Sequence, residues 1–155
     1  MKAAPQPDAA QRPMREFSRS LPMQLLRARE AMMVRFRPSL LAHGLSEQQW
    51  RVIRALVEED ELEIGELGRR CCLKPASLSR LLPRLEADGL VARRGHATDQ
   101  RRVIVSSTRK GRDVFATIAP LSEEIYAEIA TLLEPQRVAL LYQLLDEVAA
   151  RLAPK

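Results

Sequence analysis

Apolar residues recur at steps of three and four along most of the chain, and the recurrence falls into separate segments. Leu21, Leu25, Leu26, Met32, Met33 and Phe36 predict a first helix, with order beginning near Phe17. Ser18 or Ser20 can cap it, and Pro22 falls in the first turn, where a missing N–H does no harm. Pro38 is expected to kink this helix or restart it. A second helix has the clearest start: Ser46 and Gln49 have the spacing of a capping box, and Leu45 and Trp50 that of a hydrophobic staple. Trp50, Ile53, Leu56 and Val57 share its face, the acidic run "EEDE" closes it, and Leu62-Glu63-Ile64 predicts a short strand.

The next stretch, "IGELGRRCCLKPASLSRLLPRLEAD", has the spacing of a helix-turn-helix. Ile64 and Leu67 are apolar, Gly68 permits close helix approach, Cys71 and Leu73 bracket the turn, and Leu78, Leu81 and Leu82 anchor the second of the two helices. Lys74, Ser77, Arg80 and Arg84 are left pointing away from the core, with Ser79 beside them. Pro83 is expected to bend this helix near Ser79, and Gly89 ends it. A short hairpin follows in "GLVARRGHATDQRRVIVS". Thr108 then caps a long helix with Phe115, Ile118, Ile125, Ile129 and Leu132 as its stripe, interrupted at Pro120. In the last helix Val138, Leu141, Leu145, Val148 and Leu152 form a heptad-like seam, which needs a partner helix. The pattern therefore predicts a mainly α protein of about six helices with one small β-hairpin.

Composition narrows this further. At 155 residues and 46% hydrophobic content, one domain with a packed core is expected, and 4% aromatic residues leave Leu, Val, Ile and Ala to fill it. The only cysteines are the neighbours Cys71 and Cys72, and "MKAAPQPDAAQRP" has no apolar leader, so a reducing cytoplasm is the expected location. No run reaches the ~18 apolar residues of a membrane span.

Charge is concentrated. Residues 1–68 are net zero, residues 113–155 carry net −4, and residues 69–112 hold twelve basic against three acidic side chains, net +9. Such a block is the footprint of a polyanion-binding surface. In the hairpin, Arg93, Arg94, Arg101 and Arg102 are expected to crowd around Asp99, which would brace a guanidinium while Arg101 probes a minor groove; the preceding helix would enter the major groove. The partner implied is duplex DNA. An enzyme is disfavoured, since His43 and His96 are the only histidines and there is no phosphate-cradling loop, metal-ligand spacing or nucleophile set beside a base; no cofactor is expected. Two further alternatives are a thiol redox sensor using Cys71 and Cys72 near Arg69, Arg70 and Lys74, and a winged helix serving only protein or RNA contacts.

Residues 45–112 resemble the winged helix-turn-helix of the MarR family of bacterial transcription regulators. "DQRRVIVSSTRKG" is similar to that family's wing motif, with Asp99, Arg101, Thr108 and Gly111 at the motif positions and Ser107 where the family usually has Leu. The stretches "FSRSLPMQLLRAREAMMVRFRPSLLAHGLSEQQWRVIRAL" and "CCLKPASLSRLLPRLEADGLV" are similar to the branch that represses homoprotocatechuate (3,4-dihydroxyphenylacetate) degradation operons. The resemblance implies a homodimer, a pseudopalindromic operator, and repression relieved by a small aromatic acid such as 4-hydroxyphenylacetate. Pro5, Pro7 and Pro13 among Ala and Gln predict a disordered arm (1–16), and the resemblance implies a dimerisation helix (17–44), a winged helix-turn-helix lobe (45–112) and C-terminal dimerisation helices (113–155). The effector would lie between the first and second helices. An aromatic carboxylate needs a ring slot and a cation, for which Arg19, Ser20, Met23, Arg27, His43 and Trp50 are the candidates.

Overall fold

The computed structural model describes residues 13–99 and 101–153. The expectation of disorder for residues 1–12 lies outside the described residues, and 13–16 carry no regular structure. The chain divides into two compact units, one ending at Arg35 and the other beginning at Phe36. A short 3-10 helix, Phe17–Arg19, precedes α1 (Leu21–Ala42), whose first turn receives the Ser20 carbonyl as acceptor for the Gln24 N–H at 2.9 Å. Helices α2 (Glu47–Glu59), α3 (Ile64–Arg70), α4 (Pro75–Ala87), α5 (Arg109–Leu133) and α6 (Pro135–Leu152) complete the helical set. Strands β1 (Glu61–Glu63), β2 (Val91–Gly95) and β3 (Val103–Ser107) form one antiparallel sheet in the order β1-β3-β2. The architecture is the expected mainly α winged helix-turn-helix.

Local chemistry accounts for most boundaries. At α2 the Ser46 hydroxyl accepts from the Gln49 N–H (3.2 Å) while the Gln49 side chain accepts from the Ser46 N–H (2.8 Å), a complete capping box, and Leu45 and Trp50 are both buried. Gly89 takes φ +72° just past α4, the left-handed turn that ends a helix cheaply only for glycine. Helices α3 and α4 meet at Gly68: a side-chain carbon there would come 3.1 Å from Leu78 Cδ1 and 3.2 Å from the Leu73 carbonyl. The core of this unit is built from Leu40, Val52, Ile53, Leu56, Leu67, Leu82, Leu85, Val105 and Ile118, all nearly inaccessible.

At Pro120 the helix α5 is not interrupted, and at Pro38 α1 does not restart. Pro38, Pro83 and Pro120 each lie inside a continuous helix. Each costs one backbone hydrogen bond, but packing of the apolar face on both sides holds the helix through it. The short strand also lies one residue earlier than predicted, because Ile64 opens α3. The hairpin gains β1 as a third strand, which shields β3 from being an edge.

The first turn of α5 is the tightest junction. Thr108 Oγ1 donates to the Gly89 carbonyl (2.6 Å) and accepts from the Gly111 N–H (3.0 Å), and the Thr108 N–H donates to the Leu90 carbonyl (3.2 Å). Gly111 packs so closely that a side-chain carbon would overlap the Leu90 carbonyl oxygen. Ser107, buried, receives Arg112 Nη1 on both its carbonyl (2.9 Å) and its hydroxyl (3.3 Å), so the strand end is polar and satisfied in place of a leucine contact. Gly111→Ala should destabilise the fold by about 1–3 kcal/mol, the usual cost of overpacking; urea denaturation measures it, and an unchanged midpoint would mean that α5 shifts without cost.

Candidate nucleic-acid interface

Helix α4 divides cleanly. Leu78, Leu81, Leu82 and Leu85 are buried, while Lys74, Ser79, Arg80 and Arg84 are exposed and Ser77 is half-buried. Ser77, Arg80 and Arg84 follow at steps of three and four and share one face. The Ser79 hydroxyl donates to the Ala76 carbonyl of its own helix (3.0 Å), so it is partly engaged. Among the described residues, no carboxylate pairs with Lys74, Arg80 or Arg84. Ser77, Arg80 and Arg84 form one wall of a groove of about 530 Å³, and Ser46, Gln48 and Gln49 at the amino end of α2 form part of the other. The guanidinium wall favours an anion, whereas the amino end of α2 is already capped by Ser46 and carries Glu47 in its first turn.

The turn between α3 and α4 is held from α2. Arg51 Nη1 donates to the Cys71 carbonyl (2.7 Å), and Cys71 Sγ donates to the Arg51 carbonyl (3.5 Å). Cys71 is buried, and burial pushes its thiol above the ordinary range, with nearby Arg51 opposing only in part. Cys72 is exposed and takes φ +50°, a left-handed backbone that a glycine would hold more cheaply.

In the wing the four arginines do not gather around Asp99. Arg93 reaches back to Glu86 of α4 (2.5 Å), Arg94 pairs with Glu61 (2.8 Å) and Arg102 pairs with Glu63 (2.6 Å). Only Arg101 stands exposed at the tip with no carboxylate partner among the described residues. Nor does Asp99 brace a guanidinium: its Oδ1 accepts the Arg101 backbone N–H (3.0 Å), and its carbonyl accepts the Arg102 N–H (3.0 Å). It is a turn former, a side chain mimicking backbone. Beside it, His96 Nδ1 accepts from the Thr98 N–H (3.3 Å). The sequence reading missed the partners Glu61, Glu63 and Glu86; the alternation Glu61-Leu62-Glu63, which turns both carboxylates to one face of β1, was the available signal.

The proposed effector residues fall in different units. Arg19, Ser20, Met23 and Arg27 lie in the first, where Arg19 and Arg27 are exposed and Ser20 and Met23 half-buried. In the second, the exposed His43 donates from Nδ1 to the Ser39 carbonyl (2.8 Å), a helix-end contact. Buried Trp50 stacks on Phe115 (5.6 Å between ring centres, 20° between planes), and Phe36 tilts against Tyr126 (5.0 Å, 57°). Arg54, one turn beyond Trp50, donates to the Tyr126 hydroxyl at 3.3 Å. Arg54 and Tyr126 were not singled out in the sequence; the i, i+4 spacing of Trp50 and Arg54 on α2 was the only hint.

Among the described residues, no three His, Cys, Asp or Glu side chains could hold a metal ion, and no helix is long and apolar enough to cross a membrane. Helices α3 and α4 joined by a short turn, followed by a hairpin that adds to β1 as a small antiparallel sheet, make this a winged helix-turn-helix protein.

Comparison with known proteins agrees. The MarR family model matches residues 43–102. The homoprotocatechuate degradative operon repressor of Escherichia coli is 38% identical over 131 residues, covering 84% of this chain and 88% of the relative. The crystal structure of the transcriptional regulator PA4135 superposes with a TM-score of 0.83 at 43% identity, over 87% of this chain and 98% of that one. That of NadR in complex with 4-hydroxyphenylacetate gives 0.77 at 37% identity, over 89% and 98%. The chain belongs to the MarR family of transcriptional regulators.

The wing pairs make a titration prediction. Hydrogen bonds from Arg93 and Arg102 hold the Glu86 and Glu63 carboxyls below the ordinary carboxylate range. A lowered folded-state pKa means that the stabilisation is complete above the unfolded value of roughly 4.3 and is lost as pH falls through the folded value. Carboxyl carbon NMR should therefore show both groups titrating below roughly 4.3, and Arg102→Ala should return Glu63 alone to the ordinary range. A normal titration of Glu63 in the intact protein would mean that the pair does not persist in solution.

Proposed function

We propose that the protein is a dimeric transcriptional repressor that holds a pseudopalindromic duplex operator and releases it on binding a small aromatic carboxylate. The observation that carries this reading is the placement of Lys74, Arg80, Arg84 and Arg101, which no carboxylate neutralises among the described residues, on the recognition helix and the wing tip. Four cations left unpaired at a surface repel one another unless a polyanion meets them, and duplex phosphates satisfy that requirement. Ser77 and Ser79 add hydroxyls to the same helix, Asp99 shapes the turn that presents Arg101, and Arg93, Arg94 and Arg102, each paired with a glutamate, brace the wing stem beside the DNA.

Dimerisation is supported by uncovered apolar surface. Helix α6 packs against α5 yet buries none of its side chains, and Leu140, Tyr142, Leu144, Leu145 and Leu152 stand exposed. Leu21, Leu25, Leu26 and Val34 of α1 are exposed as well. Surface of this extent on helices with a heptad-like seam calls for a second copy. A two-fold dimer presents two recognition helices and so reads two half-sites about one helical turn apart. Such a regulator works in the cytoplasm and performs no catalysis.

For the effector, Trp50, Phe115, Phe36 and Tyr126 supply aromatic faces and Arg54 a guanidinium within reach of the Tyr126 hydroxyl, the chemistry that a phenylacetate requires. The names of the Escherichia coli repressor and of the NadR complex support hydroxylated phenylacetates as the class. Arg19, Ser20, Met23, Arg27 and His43 remain candidates, each to be tested by its own substitution. The thiol-sensor alternative is weakened at Cys71, where burial pushes the thiol above its ordinary range and so away from the reactive thiolate.

Three measurements test the reading. Arg101→Ala should weaken operator binding by about 1–3 kcal/mol while sedimentation still gives a dimer; undiminished affinity would remove the wing tip from the interface. Calorimetry with 4-hydroxyphenylacetate and 3,4-dihydroxyphenylacetate should show binding that Arg54→Ala weakens at least about tenfold, the loss expected for a charged hydrogen bond. Equal affinity in the variant would exclude Arg54. Peroxide should leave DNA binding intact, and release that disappears in Cys71→Ser, Cys72→Ser would reinstate the redox sensor.

A further inference from the structure

Residues two apart on a strand share a face, so β1 presents Glu61 and Glu63 together on the side of the sheet opposite Leu62. Strand register carries that face across β3. Glu63 is level with Ile104 and then Arg94, and Glu61 with Ser106 and then Ala92. Arg94 therefore reaches over the central strand, and its Nη2 contacts both Glu61 oxygens (3.0 and 2.8 Å). Arg102, at the foot of β3, bonds Glu63 Oε2 at 2.6 Å. Arg93 faces the other way, onto Glu86 of α4, and fastens the sheet to the helix.

The two pairs on the outer face are open to solvent. Arg94 and Glu61 are 54% and 52% exposed, and Arg102 and Glu63 are 47% and 38% exposed. Pairs this exposed are weak and exchange readily, so a phosphate can reach either guanidinium, but only by displacing a carboxylate that then sits beside it. Each carboxylate opposes the contact twice, first by holding the cation and then by repelling the phosphate.

We propose that Glu61 and Glu63 are built-in competitors that set how strongly the wing holds DNA, masking Arg94 and Arg102 from phosphates. This rests on the nucleic-acid reading above and adds residues to it that lie outside the recognition helix and the wing tip. Its consequence is discrimination: the wing stem adds little to binding at an arbitrary sequence, and affinity depends on what α4 and Arg101 find there.

The test uses the full-length protein and a mixed-sequence duplex of about three helical turns, with fluorescence anisotropy between 50 and 200 mM salt, the range over which phosphate contacts are exposed by their salt dependence. Glu61→Gln/Glu63→Gln should bind about tenfold more tightly near 0.1 M salt. Its plot of log K against log salt should be steeper by about 1–2, as expected when two cations gain phosphates. Glu63→Gln, which unmasks Arg102 alone, should show about half that change and serves if the double variant folds poorly by circular dichroism. Unchanged affinity and slope would overturn the proposal. Weaker binding would overturn it too, showing that the glutamates hold the arginines in a DNA-ready pose. If the wild-type protein bound no duplex at low salt, the nucleic-acid reading would fall and the competitor role with it; wild-type binding with an inert double variant removes the competitor role alone.

Discussion

The structure depends most on the close approach of the first turn of α5 to the Gly89–Leu90 backbone. Three elements meet there. The carboxyl end of α4 supplies the Gly89 carbonyl to Thr108, the residue that closes β3 caps α5, and Lys110 donates to the Asp88 carbonyl at 2.7 Å. Because Gly111 has no side chain, backbone meets backbone with nothing between. The recognition helix, the wing and the long C-terminal helix therefore share one fixed origin. Through this junction α5 is tied by backbone contacts to both α4 and the wing.

On that frame, charge is sorted in space more finely than along the chain. The net +9 of residues 69–112 is met in the fold by glutamates from outside the segment, Glu59, Glu61, Glu63 and Glu66, as well as by Glu86 within it. Arg69 and Arg70 are drawn to Glu66, and the stem arginines of the wing to β1 and α4. Among the described residues, Lys74, Arg80 and Arg84 of the α4 segment and Arg101 at the wing tip have no carboxylate partner; at the start of α5, Arg109 has none either, while Lys110 and Arg112 are held by the Asp88 and Ser107 carbonyls. The wing-stem arginines are thus structural, each held by a glutamate from another element, whereas the exposed α4 arginines and Arg101 have no such partner among the described residues.

Features set by near neighbours in sequence were legible. The Ser46–Gln49 capping box, the Thr108 cap, the left-handed Gly89 and the close-packed Gly68 each involve residues within a few positions or a single steric demand, and each is present. Features that depend on distant partners were not. Glu61 and Arg94 are 33 residues apart, Glu63 and Arg102 are 39 apart, and Arg54 and Tyr126 are 72 apart, so no local spacing reveals them. The expected interruption at Pro120 and the restart allowed at Pro38 are absent. A local rule allows a restart at Pro38 and marks Pro120 as a break, whereas burial of Phe36 and Leu40 around the first, and of Ile118 and Ser122 around the second, outweighs one missing hydrogen bond. Asp99 shows the same lesson at short range: the need to close a tight turn outranked attraction to a guanidinium.

The central claim is that the cations left unmet on α4 and the wing tip are the surface that meets duplex DNA. Hydrogen–deuterium exchange of the protein with and without a mixed-sequence duplex addresses it residue by residue. The account predicts added protection in α4 and in the wing around residues 96–102, with α6 unchanged. Protection confined to α5 and α6, or none under conditions where the duplex is bound, would contradict it.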